Sequence, residues 1–287
     1  MRLAIPLAAA ALTACTPNPP ESDIAAPAAA LDCFRENGHA MLAAHRAGPA
    51  PGYPENALSS LARLAATGVL YAEIDVRRSA DGTLFLLHDD TLERTTAGAG
   101  PAGIRDWTDL DTIALRDPAG TIVDDTIPTL AEAFAIAQET GLVLNLDLKS
   151  VPAEAIVDAI HRHDARDHVA VIAYSVEQAA AIHALDPGLV LSAPNDPDAL
   201  AAAGVNLDAV YLWLGVGAAD PAEDARLAAQ GLETSAGLFA LEDGGFDVYR
   251  NADAGGVELL SIDDVETAIA ALGGSGTLQA QIRACTP

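Results

Sequence analysis

Leu142-Val143-Leu144-Asn145-Leu146-Asp147-Leu148 is followed by an amphipathic run over residues 153–163 and then by Val169-Ala170-Val171-Ile172-Ala173. The first piece alternates, with leucines on one face and Asn145, Asp147 and Lys149 on the other, as a strand does. The second repeats its apolar residues at helical spacing. A strand, a helix and a second strand in about thirty residues form a unit whose two strands run parallel. The pattern recurs in both directions. Strands are predicted at 40–44, 70–76, 84–87, 142–148, 169–173, 189–192, 209–212, 232–236 and 257–261. Helices are predicted at 57–66, 130–140, 153–163, 176–185, 196–203, 221–230, 246–254 and 264–272. About eight such units in some 250 residues is the size of an α/β (β/α)8 TIM barrel. An open doubly wound sheet is the other arrangement of such units. The barrel is preferred because polar residues end several different strands and no glycine-rich loop follows the first. Residues 89–126 break the rhythm with Gly, Pro, Asp and Thr, and read as a small insertion with short helices over the mouth.

The chain has 287 residues, 51% of them hydrophobic but only 4% aromatic, so one aliphatic core is expected. The formal charge of −26 repels nucleic acid, which is not expected as a partner. An anionic substrate would need a local positive island. Lys149 is the only lysine, against a background of arginine.

Met1-Arg2 and the apolar run that follows are too short to span a bilayer and fit an export signal over residues 1–14. Leu12-Thr13-Ala14-Cys15 resembles a bacterial lipobox, so Cys15 is expected to carry lipid and to anchor an exported protein to a membrane. Residues 15–31, rich in Pro and Ala, read as a semi-rigid tether. The folded domain is then expected over 32–287. The remaining cysteines, Cys33 and Cys285, flank that domain. The two ends of a barrel chain are neighbours, and export permits a disulfide between them.

Polar residues gather at the strand ends: His45-Arg46, Glu55-Asn56, Glu73-Ile74-Asp75, His88-Asp89 and Asn145-Leu146-Asp147-Leu148-Lys149. Glu73 and Asp75 share one strand face, and two inward carboxylates repel unless a cation or proton intervenes. Asp147 can complete such a site, and oxygen ligands favour Mg2+ or Ca2+ over zinc. Two histidines, His45 and His88, can divide proton removal and proton donation at a phosphorus. Arg46 can hold phosphate oxygens bidentately, and Lys149 can add a point charge. The set suits metal-assisted cleavage of a phosphodiester.

Together with Asp81-Gly82 and Leu92-x-Arg94-Thr95-Thr96, these motifs resemble the glycerophosphodiester phosphodiesterase family in order, spacing and residue type over residues 39–150. The resemblance implies a TIM barrel with an insertion after the second strand. It implies His45 and His88 as the acid–base pair and one divalent cation, Ca2+ or Mg2+, on Glu73, Asp75 and Asp147. Arg46 and Lys149 would hold phosphate, with Glu55 and Asn56 lining or buttressing the site. The implied reaction proceeds by attack of a substrate hydroxyl on phosphorus and then opening of a cyclic phosphate by water. Asp147 stands where the family usually has glutamate. Leu238-Phe239 replaces the tryptophan–threonine pair, and Ser261-Ile262-Asp263-Asp264 replaces the Thr-Asp-x-Pro ending. These departures leave open a lysophospholipid or other lipid-headgroup substrate, and a non-catalytic barrel used for binding.

Overall fold

The structure, a computed structural model, describes residues 25–286. The export signal, Cys15 and the first ten residues of the expected tether lie outside the described residues. Its last part does not run as a tether: helix α1 occupies Ala26–Asn37. The reason is local. Ala28-Ala29-Ala30-Leu31 are strong helix formers, and Pro27 sits in the first turn, where a missing N–H costs nothing. Gly38, in the left-handed region, ends the helix.

Eight parallel strands follow: β1 (Met41–Ala44), β2 (Tyr71–Arg78), β6 (Val143–Leu148), β7 (Val169–Ile172), β8 (Val190–Pro194), β9 (Val210–Val216), β10 (Glu233–Gly237) and β11 (Leu259–Ile262). Each pairs with the next, β11 pairs with β1, and β1 also pairs with β2, so the sheet closes on itself. Between and after them lie α2 (Leu58–Ala65), α3 (Leu130–Thr140), α4 (Ala153–Arg162), α5 (Val176–Leu185), α6 (Pro197–Ala202), α7 (Pro221–Ala228), α8 (Phe246–Ala254), α9 (Val265–Ala271) and α10 (Ser275–Cys285). Several helices start on capping side chains. Thr129 and Glu132 form a reciprocal capping box on α3, and Ser175 and Asp220 accept amide protons at α5 and α7.

Alternation along the strands divides the side chains into two sets. Leu42, Ile74, Leu144, Leu146 and Val171 face the helices and join the main apolar core. Met41, Tyr71, Val143, Ala170 and Tyr211 belong to a second cluster, into which α1 packs Ala28, Leu31 and Phe34. Helix α1 therefore plugs one end of the barrel, which is the N-terminal end of the strands. Arg35 fixes it there by bonding Glu233 at 2.7 Å. The expected Cys33–Cys285 disulfide is present and ties α1 to α10.

The predicted strand at 84–87 is not a barrel stave. It forms β3 (Leu84–Leu86), antiparallel to the outer end of β2. Beyond it the insertion contains one 3-10 turn, Trp107–Asp109, and an antiparallel ribbon of β4 (Ala114–Arg116) and β5 (Ile122–Thr126), rather than several short helices. The strict exposure alternation of Ile122-Val123-Asp124-Asp125-Thr126 suits a ribbon. A small core of its own, including Phe85, Leu87, Leu92, Leu110 and Leu115, holds the insertion against the end of β2.

At the plugged end Glu258 is buried beside Asp224 and accepts from the Thr234 amide at 2.7 Å, while the Thr234 hydroxyl lies 2.6 Å from Asp224 Oδ1 and 3.2 Å from Glu258 Oε2. Burial and the Asp224 charge push its carboxyl up to about 7 from an ordinary 4.5. A carboxyl raised on folding adds stability below the unfolded value, and that contribution is lost as pH rises through about 7. Glu258→Gln is therefore expected to stabilise the protein by on the order of 2 kcal/mol at pH 8 and by almost nothing at pH 4.5. Urea denaturation at the two pH values checks this; an equal shift at both refutes it.

Candidate active site

The opposite end of the barrel carries the polar strand-end residues His45, Arg46, Glu73, Asp75, His88, Asp147 and Lys149, with Glu55 and Asn56. Glu73 and Asp75 alternate along β2, and Asp147 sits directly beside Asp75 in the β2–β6 register. Ligand-capable oxygens of Glu73, Asp75 and Asp147 lie within 4.8 Å of one another, and all three residues are buried. Burial, and then the charge of Asp75, drive the Glu73 carboxyl well above its ordinary range. Lys149 offsets part of the charge. Its ammonium lies 2.6 Å from Asp147 Oδ2 and 3.1 Å from Asp75 Oδ1. Burial works to lower the lysine's pKa, but the bond to Asp147 and the carboxylate charges outweigh it and leave it raised. Asp147 Oδ1 is buried with no hydrogen-bond partner among the described residues. Three clustered carboxylates, one lysine and a bare buried oxygen fit a divalent cation.

The supports are specific. Arg46 and Ala47 have positive φ, at 50° and 64°, which turns the Arg46 amide toward Glu73 Oε2 at 2.7 Å. Such conformations cost on the order of 1 kcal/mol each and are held by their surroundings. Asn56, also left-handed at φ 56°, donates to Asp75 Oδ2 at 2.7 Å and accepts from the Asp75 amide at 2.9 Å. Glu55 accepts from Arg46, and more closely from Arg94, whose two bonds measure 2.7 and 2.8 Å. Glu55 and Asn56 are thus buttresses: one fixes cations, the other a carboxylate.

Each histidine has a carboxylate on Nδ1. His45 Nδ1 is 2.8 Å from Asp263 Oδ1, and its Nε2 is 4.0 Å from Glu73 Oε2. His88 Nδ1 is 2.7 Å from Asp89 Oδ1. A carboxylate on Nδ1 selects the tautomer and leaves Nε2 for chemistry. Arg94 chelates Asp89 as well as Glu55 and holds the Asp89 carboxyl far below its usual range. The insertion therefore delivers His88 and also braces it.

A cavity of about 450 Å³ opens beside the carboxylates. His45, Glu73, Asn145 and Asp147 meet there with Tyr174, Trp213 and Phe239. Phe239 stacks on His45 with ring centroids 4.8 Å apart. Gly237 permits this convergence, since a Cβ there would lie 2.5 Å from Phe239 and 2.8 Å from Trp213. Sequence reasoning did not place Asp263, Arg94, Tyr174 and Phe239 against the site residues they contact. Asp263 and Phe239 had been seen only as departures from a motif. Tyr174 offered a signal, an aromatic residue just past the C-terminal end of a strand.

The model of the Glycerophosphoryl diester phosphodiesterase family matches residues 45–238. The chain belongs to this family. A glycerophosphodiester phosphodiesterase of Caldanaerobacter subterraneus is 30% identical over 146 residues, which cover 47% of this chain and 58% of that protein. Human glycerophosphodiester phosphodiesterase 1 is 32% identical over 126 residues, 42% of this chain and 37% of that protein. The matched segments thus span less than two thirds of these relatives' own length. Among solved structures, a family member from Parabacteroides distasonis superposes with a TM-score of 0.75 at 24% identity, covering 90% of this chain and 92% of that one. An Oleispira antarctica phosphodiesterase, solved with the product sn-glycerol-3-phosphate, gives 0.67 at 23% identity, covering 83% and 98%. At these identities the structures speak for the barrel.

Proposed function

We propose that this chain hydrolyses glycerophosphodiesters to glycerol 3-phosphate and an alcohol, using one divalent cation, Ca2+ or Mg2+, on Glu73, Asp75 and Asp147. The observation that carries the reading is the buried carboxylate triad with the Asp263-held imidazole of His45 4.0 Å from Glu73; His88, held by Asp89, is the second imidazole of the proposed pair. A bound cation would neutralise phosphate charge and polarise its bonds to oxygen. Arg46 and Lys149 would hold the phosphate oxygens. One imidazole takes the proton of the neighbouring glycerol hydroxyl as that oxygen bonds to phosphorus. The other, protonated, gives its proton to the alcohol oxygen as that P–O bond breaks, leaving a cyclic phosphate. Water then opens the ring with the two imidazoles in exchanged roles, which returns both protons to their starting groups.

We also place the protein outside the cytoplasm, lipid-anchored at Cys15. The lipobox and the Cys33–Cys285 disulfide support this. Ala25 bonds Gly188 at the plugged end of the barrel, far from the catalytic mouth. Nine residues lie between Cys15 and Ala25, ten residue steps with a reach of at most about 35 Å. An anchored barrel would keep its plugged end toward the bilayer and its mouth toward water, which favours soluble diesters over membrane-embedded lyso-lipids.

The test assays glycerol 3-phosphate release from a panel of glycerophosphodiesters and their acylated counterparts, with and without EDTA. Release from the soluble diesters that EDTA abolishes and added cation restores is expected. No release from any diester by folded protein supplied with cation refutes the reading, and release from acylated substrates alone moves the assignment to lipids.

A further inference from the structure

We infer that Glu242 is a positioning residue for the proposed acid–base chemistry: it sets the Asp263 carboxylate on His45 and joins the two loops that hold that imidazole. The inference rests on the reading of His45 as a proton-transfer group and deepens it.

Asp263 has little to hold its own side chain. It follows Ile262, the last residue of β11, and its carboxylate is half exposed. Among the described residues that carboxylate makes one hydrogen bond, to His45 Nδ1 at 2.8 Å. A short side chain on a turn keeps one direction only if its backbone is held.

Glu242 supplies that constraint. Its Oε1 accepts from the Asp263 amide at 2.9 Å and its Oε2 from the Asp264 amide at 3.2 Å. Both oxygens of one carboxylate thus grip consecutive amides where β11 turns into α9, and such bonds to a charged acceptor are among the stronger ones. The two acidic side chains repel each other. Attraction between side chains therefore does not place Asp263; the gripped backbone does.

Glu242 also belongs to the loop that carries Phe239. It opens the short turn Glu242–Gly244, three residues after the ring that stacks on His45. In the same loop the Leu238 amide donates to the Ser261 carbonyl at 2.8 Å. The loops after β10 and β11 are thus joined at both ends, and each presents one contact to His45, a ring from the first and a carboxylate from the second. These are the two stretches, Leu238-Phe239 and Ser261-Ile262-Asp263-Asp264, in which this chain departs from the family's motifs. Without Glu242 the two amides would turn to water and Asp263 would lose its fixed direction. The neutral imidazole would then no longer be held as the Nδ1–H tautomer that leaves Nε2 free to take a proton. A misplacement of about 1 Å at a reacting group costs on the order of a hundredfold in rate.

The test compares the full chain with Glu242→Ala, Glu242→Gln, Asp263→Ala and the Glu242→Ala/Asp263→Ala double variant, all with cation supplied and with melting temperatures measured. Glu242→Ala is expected to lower kcat for glycerol 3-phosphate release by about tenfold to a hundredfold and to leave KM nearly unchanged. Glu242→Gln, which keeps one acceptor oxygen, is expected to fall between, and it carries the comparison where the alanine variant melts lower. In the Asp263→Ala background Glu242→Ala is expected to change kcat no further, because it acts through Asp263. Long-range 1H–15N spectra at a pH where the ring is neutral are expected to show His45 as the Nδ1–H tautomer in wild type and moved toward Nε2–H in Glu242→Ala. An unchanged kcat, an equal loss with and without Asp263, or an unmoved tautomer overturns the inference while leaving hydrolysis by wild type standing. A wild type that releases no product removes the hydrolytic reading instead, and the tautomer comparison then decides whether Glu242 positions His45.

Discussion

Replacing His45 by alanine is expected to lower kcat for glycerol 3-phosphate release by about a thousandfold, the usual scale for losing a positioned acid or base. Cation affinity and melting temperature should stay near those of wild type. The separation follows from the geometry. His45 is partly exposed, its nearest triad oxygen is 4.0 Å away, and its close partner is Asp263 rather than a residue of the triad. Its ring packs against Phe239. Single-turnover kinetics with a saturating diester, beside calorimetric cation titration, distinguish loss of proton transfer from loss of the site. A rise in KM with kcat unchanged would assign His45 to binding instead. His88→Ala should fall by a similar factor, and the double variant by little more than either alone, because residues that act as a unit in one step are not additive.

The parts of this site that could be read from the chain are those fixed by strand periodicity. Glu73 and Asp75 had to share a face, as had Asn145, Asp147 and Lys149, and a parallel barrel then sets β2 beside β6. The eight staves and most helices follow from the same alternation, and α3, α5 and α8 begin and end where their periodicity does. What could not be read depends on contacts between loops distant in sequence. Asp263 meets His45 across 218 positions, and Tyr174 reaches back 27 to Asp147. Arg94 joins Glu55 to Asp89 because the insertion folds down on its own small core. Helix α1 shows a different difficulty. An Ala- and Pro-rich stretch is compatible with tether and helix alike, and the decision comes from the apolar end of a barrel that needs covering.

That covering makes the disulfide the largest single contribution to stability expected outside the core. Cys33 and Cys285 close a span of 252 residues, for which the chain-entropy model gives about 5 kcal/mol. A domain of ordinary stability has only about 5–15 kcal/mol in all. Replacing both cysteines by alanine should therefore lower the urea midpoint strongly and steepen the slope, since the unlinked denatured chain exposes more surface, and a reductant should do the same to wild type but nothing to the variant. The two joined helices should respond unequally. Helix α1 keeps Leu31 and Phe34 in the barrel end and Arg35 on Glu233 without the bond. Helix α10 buries only Leu278 fully, so it depends on the bond to stay docked. Hydrogen exchange should show α10 opening first, while amides of the barrel strands stay protected until global unfolding. Catalysis at low temperature should persist, because the triad and both histidines lie at the other end of the barrel. Unchanged urea midpoints on reduction would mean that packing of α1 and α10 holds the chain ends together by itself, and that the bond does little for folding.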